Sequence, residues 1–218
     1  MARGQWPNQS FKSTPSARLN SGVSLPRQIM RKLLAVAALF PAFAVASMPP
    51  DSINDLFAGT CMKHFYSQDS LRKAMSDIGA PEAPVEKAEF FLAGKPGKAW
   101  FVVAPSTAYV VALRDDSVCA VFAQRANADQ AHSGFSNMVG TAPEPLVATA
   151  QGATALGPQA PQTRTTAYSW SRSEDKDQLL FVLTTSDSAD ATAQAMVSMS
   201  LVGKANNSFK AMPLRGTP

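Results

Sequence analysis

Charge, cysteine and histidine are all scarce in this sequence of 218 residues. Charged residues make up 17% of the chain, and it has only two cysteines and two histidines. So few cysteines exclude a disulfide-dense miniprotein and any zinc or iron–sulfur module held by several cysteines. The hydrophobic fraction of 45% is nevertheless that of an ordinary globular chain, which excludes collagen-like, coiled-coil and wholly disordered proteins.

A secretory leader is the clearest signal near the N-terminus. The basic pair Arg31-Lys32 precedes an apolar stretch, 33–46, that ends in an Ala-x-Ala pattern before Ser47. These three features are typical of a signal peptide, and the stretch is shorter than the roughly 20 residues of a transmembrane helix. We therefore predict a signal peptide at 30–46 with cleavage between Ala46 and Ser47. The processed protein is then periplasmic or secreted and has no stable membrane span.

The first 29 residues do not fit the leader pattern. They are polar and basic, and they contain no acidic residue. Met30 stands directly before the basic pair, where a conventional signal peptide begins. Three interpretations stay open. Translation begins at Met30 and residues 1–29 are not native, or these residues are a long basic n-region of the leader, or they form a disordered N-terminal extension.

The leader also determines the charge of the whole chain. The whole chain has a net charge of +4. Residues 1–46 contain six of its 20 basic residues and none of its 16 acidic residues. The remainder therefore has 14 basic against 16 acidic residues, a net charge of −2. Because the basic excess is removed with the leader, it does not indicate nucleic-acid binding, and we predict no nucleic-acid partner.

Hydrophobic periodicity predicts a single α+β domain at 47–203. Apolar residues at helical spacing, preceded by capping residues, predict two N-terminal helices after Asp51 and Asp69 and a mid-chain helix after Asn127. Period-two alternation predicts strands at 89–93, 98–104, 107–113, 118–124, 164–172, 178–186 and 194–202. Because alanine is frequent in 190–202, a helix there is an alternative to the last strand. We expect an antiparallel sheet of about six strands with these helices packed against one face.

Two segments of this domain lack clear periodicity. Alanine, glycine and proline account for 13 of the 24 residues in 140–163, a composition typical of a long loop. The last residues, 204–218, are polar and show no sustained pattern. We predict a loop for the first segment, with a brief extended piece near Leu146 and Val147, and a flexible tail for the second.

Cys61 and Cys119 lie on apolar faces of a predicted helix and a predicted strand. In an exported protein such a pair usually forms a disulfide, and we predict that bond here. Two buried free thiols are the alternative. No second cysteine or evident general base accompanies either residue as a reactive thiol requires.

Neither histidine belongs to a recognisable catalytic or metal-binding pattern. Cys61 and His64 have a C-x-x-H spacing, but zinc needs three or four ligands and His132 is the only other histidine. His132 and Ser133 are neighbours in a predicted helix and point in different directions, and the chain has no G-x-S-x-G motif. We therefore predict no catalytic residue, no metal and no cofactor.

Trp100 and Phe101 are consecutive aromatic residues in a predicted strand. Successive side chains of a strand point to opposite faces of the sheet. We therefore predict that this pair contributes a ring to a binding surface.

Three segments carry a resemblance to a known family: Thr60-Cys61-Met62, 96–100 and 113–123. Together they resemble a family of small uncharacterised exported proteins and lipoproteins of proteobacteria, over most of 51–202. The resemblance implies a Gram-negative envelope setting and supports pairing of the two cysteines, but it implies no activity or ligand. The chain departs from the lipoprotein members because no cysteine follows the leader at the lipid-accepting position.

These observations favour a non-enzymatic binding or accessory protein of the bacterial envelope. Its partner would be an envelope protein or a small ligand. An envelope hydrolase with dispersed catalytic residues is the alternative. A cleft that brings a histidine within reach of a serine and a carboxylate favours the enzyme, whereas an exposed aromatic patch favours binding.

Overall fold

The computed structural model describes residues 52–152 and 162–204, which belong to one compact unit. The predicted N-terminal extension at 1–29 and signal peptide at 30–46 lie outside the described residues, as does 205–218, nearly all of the predicted tail.

Four helices and seven strands make up this part of the chain, so the α+β class is confirmed. In chain order they are α1 (Ile53–Phe57), which continues into a π-helical turn (Ala58–Met62), α2 (Gln68–Asp77), α3 (Val85–Phe91), β1 (Gly97–Val103), β2 (Ala108–Arg114), β3 (Cys119–Ala123), α4 (Ala128–Val139), β4 (Val147–Ala150), β5 (Thr163–Ser171), β6 (Asp177–Ser186) and β7 (Ala195–Gly203).

All seven strands form one antiparallel sheet in the order β1-β2-β3-β7-β6-β5-β4. Two three-stranded meanders, β1 to β3 and β5 to β7, meet where Cys119–Ala123 pairs with Ala195–Met199. The short strand β4 flanks the second meander by pairing with β5. The sheet therefore has one strand more than the six or so that we predicted.

The central position of β3 is visible in its burial, because all five of its residues are buried. Both of its faces are apolar, which is typical of a strand that is covered on both sides. On one face α1 contacts β3 and β7, and α4 contacts β5 and β6. The core between these helices and the sheet is centred on Phe57, Phe135 and Phe181, whose side chains are fully buried.

The helix α3 and the turn after it occupy the segment 89–93, where we predicted a strand, so that prediction was wrong. Ala88 and Phe91 are both buried and lie three residues apart, which places them on one side of a helix. The Phe91 ring lies 5.1 Å from the ring of Phe122. Phe122 points away from the main core, because its neighbour Val121 points into it. Helices therefore pack on both faces of the sheet, whereas we had expected them on one face only.

Two predictions for the C-terminal half, at 140–163 and 190–202, can be compared with the structure. The predicted loop at 140–163 contains β4, and its residues 153–161 lie outside the described part. The segment 190–202 contains the strand β7, so the helical alternative was wrong. The first five residues of β7 are buried because this strand lies between β3 and β6.

The predicted disulfide between Cys61 and Cys119 is confirmed. The two sulfur atoms lie 2.04 Å apart and the Cα atoms 5.5 Å apart. Both residues are buried, and the bond joins the π-helical turn to β3. The N-terminal helical segment is therefore covalently attached to the centre of the sheet.

Candidate functional site

The aromatic pair that we singled out is buried. Trp100 is 5% exposed and belongs to the main core, whereas Phe101 is 8% exposed and lies on the opposite face of the sheet. Neither ring offers a broad surface to a ligand. The candidate site described below is formed by other residues.

A cleft of about 760 Å³ opens between α1 and α4. Its walls come from α1, from the loop between β1 and β2, from α4 with the residues that precede it, and from the segment before β7. The lining residues that matter for its chemistry are Asn54, Asp55, Thr107, Arg125, Gln130 and Gln194. The volume is within the range of about 300–1,000 Å³ that is typical of small-molecule sites.

Both helices begin at this cleft, and each is capped by a side chain that lines it. The Oγ atom of Ser52 accepts a hydrogen bond of 3.2 Å from the amide of Asp55. The Oδ1 atom of Asn127 accepts one of 2.9 Å from the amide of Gln130. Because these caps pair backbone donors that the helix itself leaves free, they fix where each helix starts.

Asn54 connects α1 to α4 beside the cleft. Its Nδ2 atom donates to the carbonyl oxygen of Ala131 at 3.1 Å. The helices approach so closely that a Cβ atom added to Gly134 would lie 2.5 Å from Nδ2. Glycine is therefore the residue that lets α4 pack against this amide.

The other atom of the same amide has no hydrogen-bond partner. Asn54 is only 7% exposed, and its Oδ1 atom is buried without a donor in the described part of the chain. An unpaired buried acceptor costs about 1–3 kcal/mol. Because the oxygen itself is buried, this cost belongs to the packing of α1 against α4.

The opposite rim of the cleft is held in place by hydrogen bonds between loops. The amide of Arg125 donates to Thr107 Oγ1 at 3.0 Å, and the amide of Ala126 donates to Gln194 Oε1 at 3.3 Å. The amide of Gln194 in turn donates to the carbonyl oxygen of Ala123 at 3.0 Å. These bonds fix the backbone from which the Arg125 side chain extends at the mouth.

His132 lies on α4 outside the cleft, and its ring packs that helix against the sheet. Its Nδ1 atom lies 2.8 Å from Thr166 Oγ1 and its Nε2 atom 3.0 Å from Thr185 Oγ1. Burial, reinforced by the positive charge of Arg164, lowers the pKa of His132 to about 4. The ring is therefore neutral at pH 7 and joins α4 to β5 and β6.

His64 forms the closest histidine–serine pair in the described residues. Its Nδ1 atom lies 2.7 Å from Ser70 Oγ, which donates its own hydrogen to the carbonyl oxygen of Ser67 at 2.9 Å. A hydroxyl has one hydrogen to give, so Ser70 accepts from the imidazole in this arrangement and is not activated by it. The adjacent cavity is only about 10 Å³.

Within residues 52–152 and 162–204, no group of three or more histidine, cysteine, aspartate or glutamate residues is placed to hold a metal ion. No helix in the same part of the chain is long and apolar enough to cross a membrane.

Comparison with protein-family models, with curated proteins and with solved structures finds no match. The cleft and the sequence therefore carry the evidence on function.

Sequence patterns did not single out the residues of the cleft, because the fold brings them together from separate segments. Arg125 follows a strand and Gln194 precedes one, so each resembles an ordinary loop residue. Asn54 is the one lining residue whose place in the sequence could have drawn attention to it. It is a polar residue between Ile53 and Leu56 on a helix whose neighbouring side chains are buried, and buried polar groups in such positions need partners.

Proposed function

We propose that this chain is an exported, non-enzymatic binding protein of the bacterial envelope and that the cleft between α1 and α4 holds a small polar ligand. The observation that carries the proposal is the cleft itself, whose lining includes the polar side chains of Asp55, Arg125 and Gln194. The leader-like segment 30–46 and the disulfide, a bond that persists in oxidising compartments, support export. The resemblance to exported proteobacterial proteins supports the envelope setting.

The shape of the site favours a small ligand over a protein partner. An open cleft of about 760 Å³ has the size of a small-molecule site. A stable protein–protein interface instead buries about 1,200–2,000 Å² and is usually built around exposed aromatic anchors. Trp100 and Phe101, the pair that we expected to supply such an anchor, are both buried.

The alternative function, an envelope hydrolase, has weaker support. A hydrolase needs a base that takes the proton of its nucleophile and room for the substrate beside both. His64 donates to Ser70 when Ser70 donates to Ser67, and the cavity beside this pair is about 10 Å³. His132 has two threonine hydroxyls as its neighbours.

The export part of the proposal is tested by the N-terminal sequence of the protein in the periplasmic fraction of a Gram-negative host. We expect the mature chain to begin at Ser47, because small residues precede that position. Ala46→Arg is the control, since it should block cleavage and leave the longer chain attached to the membrane. An uncleaved wild-type product in the cytosol would contradict the proposal.

The binding part is tested by native mass spectrometry of the mature protein mixed with the low-molecular-weight fraction of an envelope extract. We expect a discrete mass increment on the wild type. Gln130→Trp, an exposed position that lines the cleft, should lose the increment because the indole fills the mouth. Ser133→Trp is exposed on the same helix outside the cleft and should keep it. No increment, or an equal one in both variants, would contradict the proposal.

A further inference from the structure

We infer that the C-terminal segment 205–218 packs as a strap across the outer face of β5, β6 and β7. The outer face is the side of the sheet that points away from the main core, and its apolar centre consists of Ala167, Leu180 and Val182. It lies opposite to the side that carries the cleft. The inference takes from the proposed function only the removal of the leader, and it replaces the flexible tail that composition alone predicts.

The centre of the outer face is buried although the sheet cannot bury it alone. Val182 is 1% exposed. It lies between Phe181 and Leu183, which belong to the main core, so its own side chain points to the opposite side. Its strand neighbours on that side are Ala167 and Ser198, which are both small. Because side chains on one face of a sheet stand side by side, another part of the chain must lie above Val182.

The described helices pack on other parts of the sheet. Both α1 and α4 contact the main-core face, and α3 contacts β1 and β2. The ring of Phe91 on α3 reaches as far as Phe122 in β3, and β3 is two strand spacings, about 10 Å, from β6. The described members of the cluster around Val182 are all strand residues. A cover from outside the described ranges accounts for this burial.

The apolar content of the sequence favours the C-terminal segment as that cover. Three segments of the processed chain lie outside the described residues: 47–51, 153–161 and 205–218. The first leads into α1, which packs on the opposite side of the sheet. The second has one large apolar side chain, Leu156. The third has three, which are Phe209, Met212 and Leu214.

The C-terminal segment also begins at one corner of the outer face. Val202, two residues before Lys204, packs against the cluster. The amide of Lys204 donates at 2.8 Å to a carbonyl oxygen of the turn between β5 and β6. Val202 pairs with Gln178, which is four residues and about 13 Å along β6 from Val182. The 14 residues after Lys204 span up to about 45 Å when extended, so they can reach the whole cluster.

The test is NMR spectroscopy of the chain 47–218 with labelled methyl groups. We expect nuclear Overhauser cross-peaks between the ring protons of Phe209 and the methyl groups of Leu180 and Val182. Cross-peaks from Leu156 in their place would show that 153–161 covers the face and would overturn the inference. Cross-peaks that appear only between differently labelled molecules would overturn it as well, because a second copy would then supply the cover.

Urea unfolding of the same chain gives an independent readout. Phe209→Asp should lower the urea midpoint by about 1 M, because a charge replaces a buried ring. Asn206→Asp is the matched control, since it adds the same charge at a polar position of the segment and should leave the midpoint in place. Equal midpoints in the two variants would overturn the inference. Export and ligand binding are decided separately, by the N-terminal sequence and by the mass increment, which Phe209→Asp should retain.

Discussion

Removal of the disulfide should cost a large part of the stability of this protein. Cys61 and Cys119 are 58 residues apart in sequence. In the chain-entropy model a crosslink across such a loop lowers the entropy of the unfolded state by about 14 cal/mol/K, or about 4 kcal/mol at room temperature. The whole free energy of unfolding of a domain is about 5–15 kcal/mol. Loss of the bond therefore leaves a folded state that is only marginally stable.

Urea unfolding of the chain 47–218, followed by circular dichroism, measures this effect directly. The variant with both Cys61→Ala and Cys119→Ala should unfold with a free energy about 4 kcal/mol below that of the oxidised wild type. The reduced wild type keeps its sulfur atoms and should show nearly the same loss, which separates the crosslink from the packing of the buried side chains. Reductant should leave the double variant unchanged. A loss below about 1 kcal/mol in both forms would refute the reasoning.

Two further perturbations test the packing of α4. The pKa of His132 is about 4 in the folded chain against 6.5 for an ordinary histidine. As the pH falls, the unfolded state therefore binds a proton before the folded state does. The free energy of unfolding should decrease by up to about 3 kcal/mol between pH 6.5 and pH 4. Urea titrations across this range should show a shallower fall in His132→Gln, and parallel curves would contradict the assignment. Gly134→Ala should cost about 1–3 kcal/mol because its Cβ meets Asn54 Nδ2 at 2.5 Å. Thermal unfolding should show a lower midpoint than in Gly59→Ala, where a Cβ meets nothing within 4 Å, and equal midpoints would count against the close approach of the helices.

The sequence predicted the parts of this fold that depend on local pattern. The hairpin of β2 and β3 was visible because apolar runs flank a polar turn that begins at Arg114. The disulfide was predictable because a chain with only two cysteines, both on apolar faces, has one pairing available. Both inferences needed only residues that are close in sequence or unique in the chain.

The errors arose where a pattern was too short or a composition was misleading. Phe90 and Phe91 lie in a run that fits a short buried strand as well as one face of a short helix, and only packing against Phe122 decides between them. The strand β4 overlaps the brief extended piece that we expected near Leu146 and Val147. The alanine, glycine and proline around it gave no strand pattern, and its full length depends on pairing with β5.

The cleft was not predictable for a different reason. Its lining comes from separate segments that the sheet order brings together, and no local pattern encodes that meeting. The burial of Trp100 and Phe101 has the same origin, because Trp100 packs into the main core on one face of the sheet and α3 contacts β1. Sequence periodicity assigned these rings to opposite faces but carried no information on what covers each face.

The most direct test of the cleft as the binding site is a pair of ¹H–¹⁵N correlation spectra of the mature protein, recorded with and without the low-molecular-weight envelope fraction. We predict that amide signals move for residues around Asn54, Thr107, Arg125 and Gln194, which line the cleft. The turn that contains Arg172 lies outside it, and its signals should stay in place. Shifts confined to residues outside the cleft, or no shift at a concentration that gives a mass increment, would contradict the account.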